Sequence, residues 1–317
     1  MFFFEDIPLH SAFMWFGILG GLLIANEITR FNKHTGIFFF MILPAILAVT
    51  VWPTTSGADS GSQTANWFAW TKVISALIGC WIGLFLRFTK KSQSSKYFLL
   101  LAPSILVINI LEAVIREFEV VNMQGFTEGM FYMGGPWNYL NAIAGIFNLL
   151  VVCGWFGIVI TKDRHHDLVW PDMTWFWIIG YGLWNFAYVY NCLTDRSFYS
   201  MALIISATIP ALLMKRGAWA QHRVHTLALY MMMMMTIPDF FIMGKYAVAS
   251  THNPVTYYTI SIIALVFNAG IFGYQIYTII KRKKNPLTDE LYDHLSESKG
   301  IKAENAHLIE EKHAATA

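Results

Sequence analysis

Charge is scarce in this chain. Only 13% of its 317 residues are Asp, Glu, Lys or Arg, and the formal net charge is +2. The basic residues concentrate on alternate connections, which reads as a topology signal and not as a nucleic-acid footprint. Cysteine is scarcer: Cys80, Cys153 and Cys192 each fall inside an apolar run, with no C-x-x-C, so no disulfide framework or metal set is spelled out. There is no phosphate loop, no H-E-x-x-H and no G-x-S-x-G, which removes the common nucleotide, zinc-protease and serine-hydrolase readings. The last apolar run has no retinal-type lysine.

What is abundant is apolar surface, at 56% of residues. A bilayer core about 30 Å thick needs roughly 20 mainly apolar residues to cross it as a helix. Runs of that kind lie near 9–29, 36–52, 67–88, 97–120, 137–160, 173–193, 197–214, 221–248 and 255–280. The second and seventh are short and hold Pro44 and Pro210, so each is expected to break or tilt. The sequence therefore predicts an all-α polytopic transmembrane bundle of eight to nine spans over residues 1–282. A charged tail, 283–317, follows.

The loops give the orientation. Arg30 and Lys33 follow the first run, Lys90, Lys91 and Lys96 the third, Lys162 and Arg164 the fifth, and Lys215 and Arg216 the seventh. The tail opens with Lys281-Arg282-Lys283-Lys284. The intervening loops hold no Lys or Arg except Arg196. Cytoplasmic loops carry the Lys/Arg excess, so the N-terminus is expected outside and the tail in the cytoplasm, as an odd number of spans requires. MFFFEDIP carries acid but no base and does not read as a signal-peptide n-region. In the tail, Leu287, Leu291 and Leu295 are spaced for one helix face, with disorder expected beyond about residue 300.

Ionisable groups inside hydrocarbon are costly and tend to face a cavity or a partner. The fourth run has the densest set: Asn109, Glu112, Arg116 and Glu119, on one helix face, with Glu112 and Arg116 spaced to pair. The fifth run carries Asn138, Asn141 and Asn148. The sixth carries Asn185, Tyr188, Asn191 and Asp195. Asp239 follows Pro238 in the eighth, where a kink frees backbone carbonyls, and Asn268 lies in the ninth. Counting depth along each helix puts most of these in the outer half. An outward polar cavity is expected, with Asn109, Asn148, Asn185 and Asn268 near its floor. Glu112, Arg116, Glu119, Asn141, Asn185, Tyr188, Asn191 and Asp239 are the candidate site. A plainer reading stands beside it: an internal Glu–Arg–Glu lock, with asparagines as interhelical glue worth about 0.6 kcal/mol each. His222 and His225 sit about 20 Å along the helix from Asp239 and cannot share a metal with it. Trp52, Trp67, Trp137, Trp170, Trp175 and Trp219 fit an interfacial aromatic belt.

The segments WNYLNAIAGIFNLL, WPDMTWFWIIGYGLWNFAYVYNC and KRGAWAQHRVHTLAL resemble an uncharacterised family of bacterial polytopic membrane proteins. The resemblance covers about the middle half of the chain. It implies a multi-pass protein of the inner (plasma) membrane and no activity. From the residues, the leading expectation is a small-solute transporter, with proton or cation coupling through Glu112 and with Arg116 as counter-charge or anion clamp. A ligand sensor signalling through the tail is the alternative, ahead of a membrane-embedded enzyme or a channel. The expected partners are the lipid bilayer and a small polar or organic ligand, not nucleic acid, with oligomerisation left open. The sequence names no cofactor.

Overall fold

The computed structural model describes residues 2–93 and 95–309, and most of them are helical. The long helices are α1 (Leu9–Phe31), α2 (Lys33–Thr50), α3 (Trp67–Phe88), α4 (Leu101–Val120), α5 (Pro136–Leu150), α6 (Trp175–Cys192), α7 (Ser197–Leu213), α8 (Trp219–Thr236), α9 (Pro254–Arg282) and α10 (Ser296–Ile309). Among the described residues six helices are long and apolar enough to cross a membrane: α1, α2, α3, α4 with its preceding turn, α7 with its preceding turn, and α9. The two least buried are α1 and α2, with 22% and 17% of their apolar windows inside the molecule. By contrast α8, rich in Gln, His, Arg and Thr, buries 13 of its 18 residues. The most polar of α1 to α9 is thus among the most buried because its side chains need protein partners, while purely apolar helices can face lipid.

Successive helices α1 to α9 run back and forth between two faces. The N-terminal face gathers residues 2–5, 51–66, 121–135 and 237–253. There Phe4 bridges to Ser250 and Glu5 N–H donates to Ala249 O at 3.0 Å. The opposite face gathers residues 151–174, 214–218 and the tail. On it Arg30 grips Asp167 with two hydrogen bonds of 2.8 Å. Gln221 adds a third to that carboxylate at 2.9 Å. Burial alone would raise the Asp167 carboxyl, but the bound Arg30 outweighs it and holds the group well below the ordinary carboxylate range.

Helix breaks follow from individual residues. In α2 a π-turn at Phe38–Ile42 precedes Pro44. Proline has no N–H, so the carbonyl four residues earlier loses its helical donor. That carbonyl, Phe40 O, accepts instead from Trp81 Nε1 at 2.6 Å. By contrast Pro210 sits inside a continuous α7. Two expected spans are shorter than read. The fifth stops at Leu150, not near 160. Beyond it Gly154 takes φ +66°, and a Cβ there would lie 2.5 Å from Asp172 Oδ2. The chain then forms β3 (Val159–Ile160), paired with β4 (Leu168–Val169). The eighth stops at Thr236, before Pro238, and the buried Met235 carbonyl accepts from Thr55 Oγ1 and Ser56 Oγ at 2.7 and 2.8 Å. The 122–136 loop holds a hairpin, β1 (Gln124–Thr127) with β2 (Met130–Met133). Its two turn residues, Glu128 and Gly129, both have positive φ (49° and 70°), as a type I′ turn requires.

The tail differs from the sequence reading. Leu287, Leu291 and Leu295 lie in turns, and the helix comes later, as α10, through residues expected to be disordered; residues 310–317 lie outside the described ones. Leu291 and Tyr292 are buried, and Tyr292 stacks on Tyr274 of α9 with centroids 6.0 Å apart. Asp172 accepts the N–H groups of Leu291 and Tyr292 at 2.6 and 3.2 Å. Glu297 accepts the N–H of Trp175 at 2.9 Å, at the start of α6.

Burial pushes the Asp172 carboxyl up to about 6, against the pull of its two N–H donors. Its proton is held more tightly in the folded protein than in the unfolded chain, so this contribution to stability is fully present below the ordinary value of 3.8 and is lost as pH rises through about 6. The melting temperature should therefore carry a component that falls as pH rises from 4 through 6, while a nitroxide at the exposed position Leu287→Cys should be held still by the docked tail. Asp172→Asn should remove that pH dependence. Asp172→Ala, which leaves two N–H groups without an acceptor at about 1–3 kcal/mol each, should leave the label mobile throughout. A label as mobile in the parent protein as in Asp172→Ala would refute the Asp172 anchor.

Candidate functional site

The polar face expected on α4 exists, but its charges are matched differently. Glu112 pairs with Lys72, one turn into α3, at 3.1 Å. Lys72 also donates to Asn109 O and Oδ1 at 2.7 and 3.1 Å. Ser75, one turn further along α3, donates to the same Glu112 oxygen at 3.0 Å. Arg116 does not take Glu112. It binds Glu119 and, from the hairpin turn, Glu128, each at 2.6 Å, and Tyr132 OH at 2.8 Å. With two acids on its terminal nitrogens, Arg116 has its charge matched within the protein, although its Nε has no partner, and makes a poor clamp for an anion. Glu119 is a third exposed at its side chain and also accepts from Trp67 Nε1 at 3.1 Å.

One residue further along, Glu117 points to the opposite side of α4 and is fully buried. Asn138 and Asn141 of α5 each donate to it at 2.6 Å, one to each oxygen. Asn191 of α6 approaches at 3.4 Å and donates to Ser261 of α9 at 3.0 Å. Among the described residues no cation pairs with Glu117. The buried Asn141 Oδ1 and Asn191 Oδ1 have no hydrogen-bond partner. Four helices thus meet on one acid held only by amides.

Two small cavities lie end to end along α8. The one toward the N-terminal face, about 50 Å³, is lined by Lys72, Tyr188, Asn185, Arg196 and Arg223 among others. The other, about 60 Å³, runs from Ser75 and Asn109 to Arg87, Gln221 and His225. Asn109, Arg223 and Leu227 line both. Arg223 donates from Nε to Tyr181 OH at 3.0 Å and from a terminal nitrogen to Asn185 Oδ1 at 3.2 Å. Its other terminal nitrogen has no partner. Tyr188 is buried with its hydroxyl unpartnered, stacked on Trp184.

The expected residues therefore divide. Asn185 and Tyr188 line a cavity, with Glu112 behind its wall on Lys72; Asn141 and Asn191 gather at Glu117; Arg116 and Glu119 form a lock at the N-terminal face. Asp239 joins none of these groups. It is exposed, at the start of a four-residue helix, and lines a surface groove of about 710 Å³ with Thr54, Gln63 and Phe240. Asn148 and Asn268 are not a cavity floor. They bind each other at 2.9 Å, and Asn268 donates to Gly180 O at 3.0 Å, tying α5, α9 and α6 together. The expected single open chamber is replaced by two small cavities and that groove. Lys72, Glu117, Glu128 and Arg223 were not singled out. A lysine one turn inside an apolar run and an arginine between two histidines were visible signals. Glu117 was hidden by its neighbours Arg116 and Glu119, which define another face.

No curated protein and no solved structure matches the chain. A family model described as a family of unknown function, DUF5692, matches residues 5–304, nearly the whole length that the polar network and its docked tail occupy. The chain belongs to that family.

Proposed function

We propose that this protein is a small-solute transporter of the plasma membrane. It crosses the bilayer nine times, with α1 to α9 as the crossings, the N-terminus outside and the tail in the cytoplasm. The alternation of basic loops supports the orientation, and the back-and-forth course of α1 to α9 supports the count. The observation that carries transport is the pair of cavities meeting at Asn109, Arg223 and Leu227 beside the buried Lys72–Glu112 pair. A solute at that junction could be reached from either face if the two cavities widened in turn. The groove holding Asp239 would be its outer vestibule.

Glu117 supplies the coupling in this reading. Burying an unpaired carboxylate costs several kcal/mol, so a mobile proton or cation balances it. Release of that ion would reorganise α4, α5, α6 and α9, which all touch the acid or its asparagines. A sensor is the second reading, favoured by one observation: the tail is anchored by Asp172 and Glu297 on either side of the start of α6, the helix that carries Asn185 and Tyr188.

Epitope tags in intact cells should be reached by antibody at the N-terminus and only after permeabilisation at residue 317; the reverse would discard the orientation. Glu112→Gln strands Lys72 and should cost about 3–5 kcal/mol, seen as a lower melting temperature in detergent. Adding Lys72→Met should restore stability but not solute-evoked currents on a supported membrane, tested across a panel of small organic solutes. Wild-type currents from the double variant would make the pair a lock and nothing more. Glu117→Gln should leave stability at neutral pH equal or higher while a proton gradient no longer drives uptake; gradient-driven uptake in that variant would remove Glu117 from the mechanism.

A further inference from the structure

Arg223 is a buried charge with an unfilled donor. It is 5% exposed and lies about one turn into α8. Its partners are neutral: a tyrosine hydroxyl and an asparagine carbonyl. Among the described residues no acid pairs with it, and one terminal nitrogen has no acceptor at all. A lone buried guanidinium is normally paired with an acid inside protein. Lys72, Arg116 and Arg30 each have one.

The surroundings share the same bias. Lys72, Arg196 and Arg223 line the first cavity and Arg87 and Arg223 the second, with no acid lining either. Glu112 neutralises only Lys72. Arg196 donates to Gln63, at 2.7 Å to the side-chain oxygen. The rest of the wall is mainly apolar or aromatic, with Leu227, Val224, Ile105 and Met231 among its residues, and its other polar groups, such as Ser75, Asn66 and Gln221, are neutral. Tyr181 holds the guanidinium twice, by its hydroxyl and by its ring face 5.4 Å from the Arg223 carbon. The planar fork is fixed from behind on the wall that the two cavities share, and its unpartnered nitrogen leaves one edge that fits a planar carboxylate.

We propose that Arg223 is the anchor of an anion site, and that the solute is a small monocarboxylate with an apolar or aromatic body. The carboxylate takes the free edge of Arg223, with Asn109 beside it, and the body lies along Leu227 in one of the two cavities. The proposal rests on the reading that these cavities hold a solute. It assigns the anion role that spacing alone gave to Arg116, whose charge Glu119 and Glu128 already match. The cavity volumes favour a small ligand, and a phosphate would need more donors than one free fork edge provides.

The test uses full-length protein in nanodiscs, titrated with benzoate, inorganic phosphate, the uncharged benzyl alcohol and the cationic benzylamine, read by calorimetry and melting temperature. Benzoate should bind and stabilise, with benzyl alcohol weaker by about tenfold or more, the loss of one charge-assisted hydrogen bond, and benzylamine weaker still. Arg223→Gln should weaken benzoate by a similar factor. Arg223→Lys should recover only part, since an ammonium lacks the fork. Should Arg223→Gln fail to fold, Asn109→Asp keeps the guanidinium, adds a competing carboxylate at the junction and should lower benzoate affinity likewise. Equal binding of benzoate and benzyl alcohol, or benzoate affinity untouched by Arg223→Gln, overturns the site; phosphate outcompeting benzoate overturns the carboxylate assignment. Benzoate binding without benzoate flux into proteoliposomes would sink transport and leave the anion site standing. Flux of uncharged solutes with no benzoate binding would sink the anion site and leave transport standing.

Discussion

A charge buried in an apolar bundle has to be matched, and nearly everything at the heart of this molecule is arranged by that requirement. Arg30 is matched by Asp167 and Glu27, which closes α1 onto the loop between α5 and α6. Arg116 is matched by Glu119 and Glu128, which pins the β1–β2 hairpin over the end of α4. Lys72 is matched by Glu112, which joins α3 to α4. Pairs like these add little net stability over apolar packing, but breaking one is expensive. They therefore act as registers, fixing which helix lies against which. Against that background Glu117, Arg196 and Arg223 are conspicuous, because each is buried with neutral hydrogen-bond partners, and Arg223 keeps one terminal nitrogen with no partner at all.

The same requirement governs uncharged groups. Wherever the backbone leaves its helical ladder, a side chain from another element arrives to take the freed carbonyl. Trp81 does so at Phe40, and Thr55 and Ser56 do so at Met235. Lipid offers no hydrogen bonds, so each break in a helix creates a tertiary contact. The polar residues of α8 and α6 likewise cannot face lipid and so fix those two helices at the centre, leaving α1 and α2 at the rim.

Much of this was legible in the chain. Hydropathy gave the helical class, and loop composition divided the connections into two sets that do gather on two faces. The polar rhythm of α4 pointed to a helix whose Glu112, Arg116 and Glu119 do lie in polar networks. What the spacing of one helix could not supply was the partner. Glu112 and Arg116 are placed to pair in sequence, yet each has a nearer acid or base on a separate element, and such long-range choices are not local information. Segment ends failed for a different reason: residues 151–160 and 237–248 are apolar enough to extend a span, but Gly154 and Pro238 turn the chain before composition changes. Interfacial tryptophans misled in the same way. Trp52, Trp137, Trp170 and Trp219 are buried in the protein, whereas Trp67 and Trp175 are exposed.

Helix α6 is where Glu117 and Arg223 come closest to a common mechanical element. Toward α8 it presents Tyr181 and Asn185 to Arg223; toward α4 and α9 it presents Asn191 to Glu117 and Ser261. Its contacts with α5 and α9 are close. A Cβ at Gly145 would lie 2.6 Å from the Trp184 indole nitrogen, and one at Gly180 would lie 2.4 Å from Ile271. With Asn148, Asn268 and Gly180 also hydrogen-bonded, α5, α6 and α9 are tied as one block. By contrast the Arg223 side of α6 faces cavities. In the proposed cycle an anion drawn to Arg223 and an ion balancing Glu117 would therefore act on the same block from opposite sides. Each ligand would then alter the cost of the other through the position of α6, with no need for the two to touch.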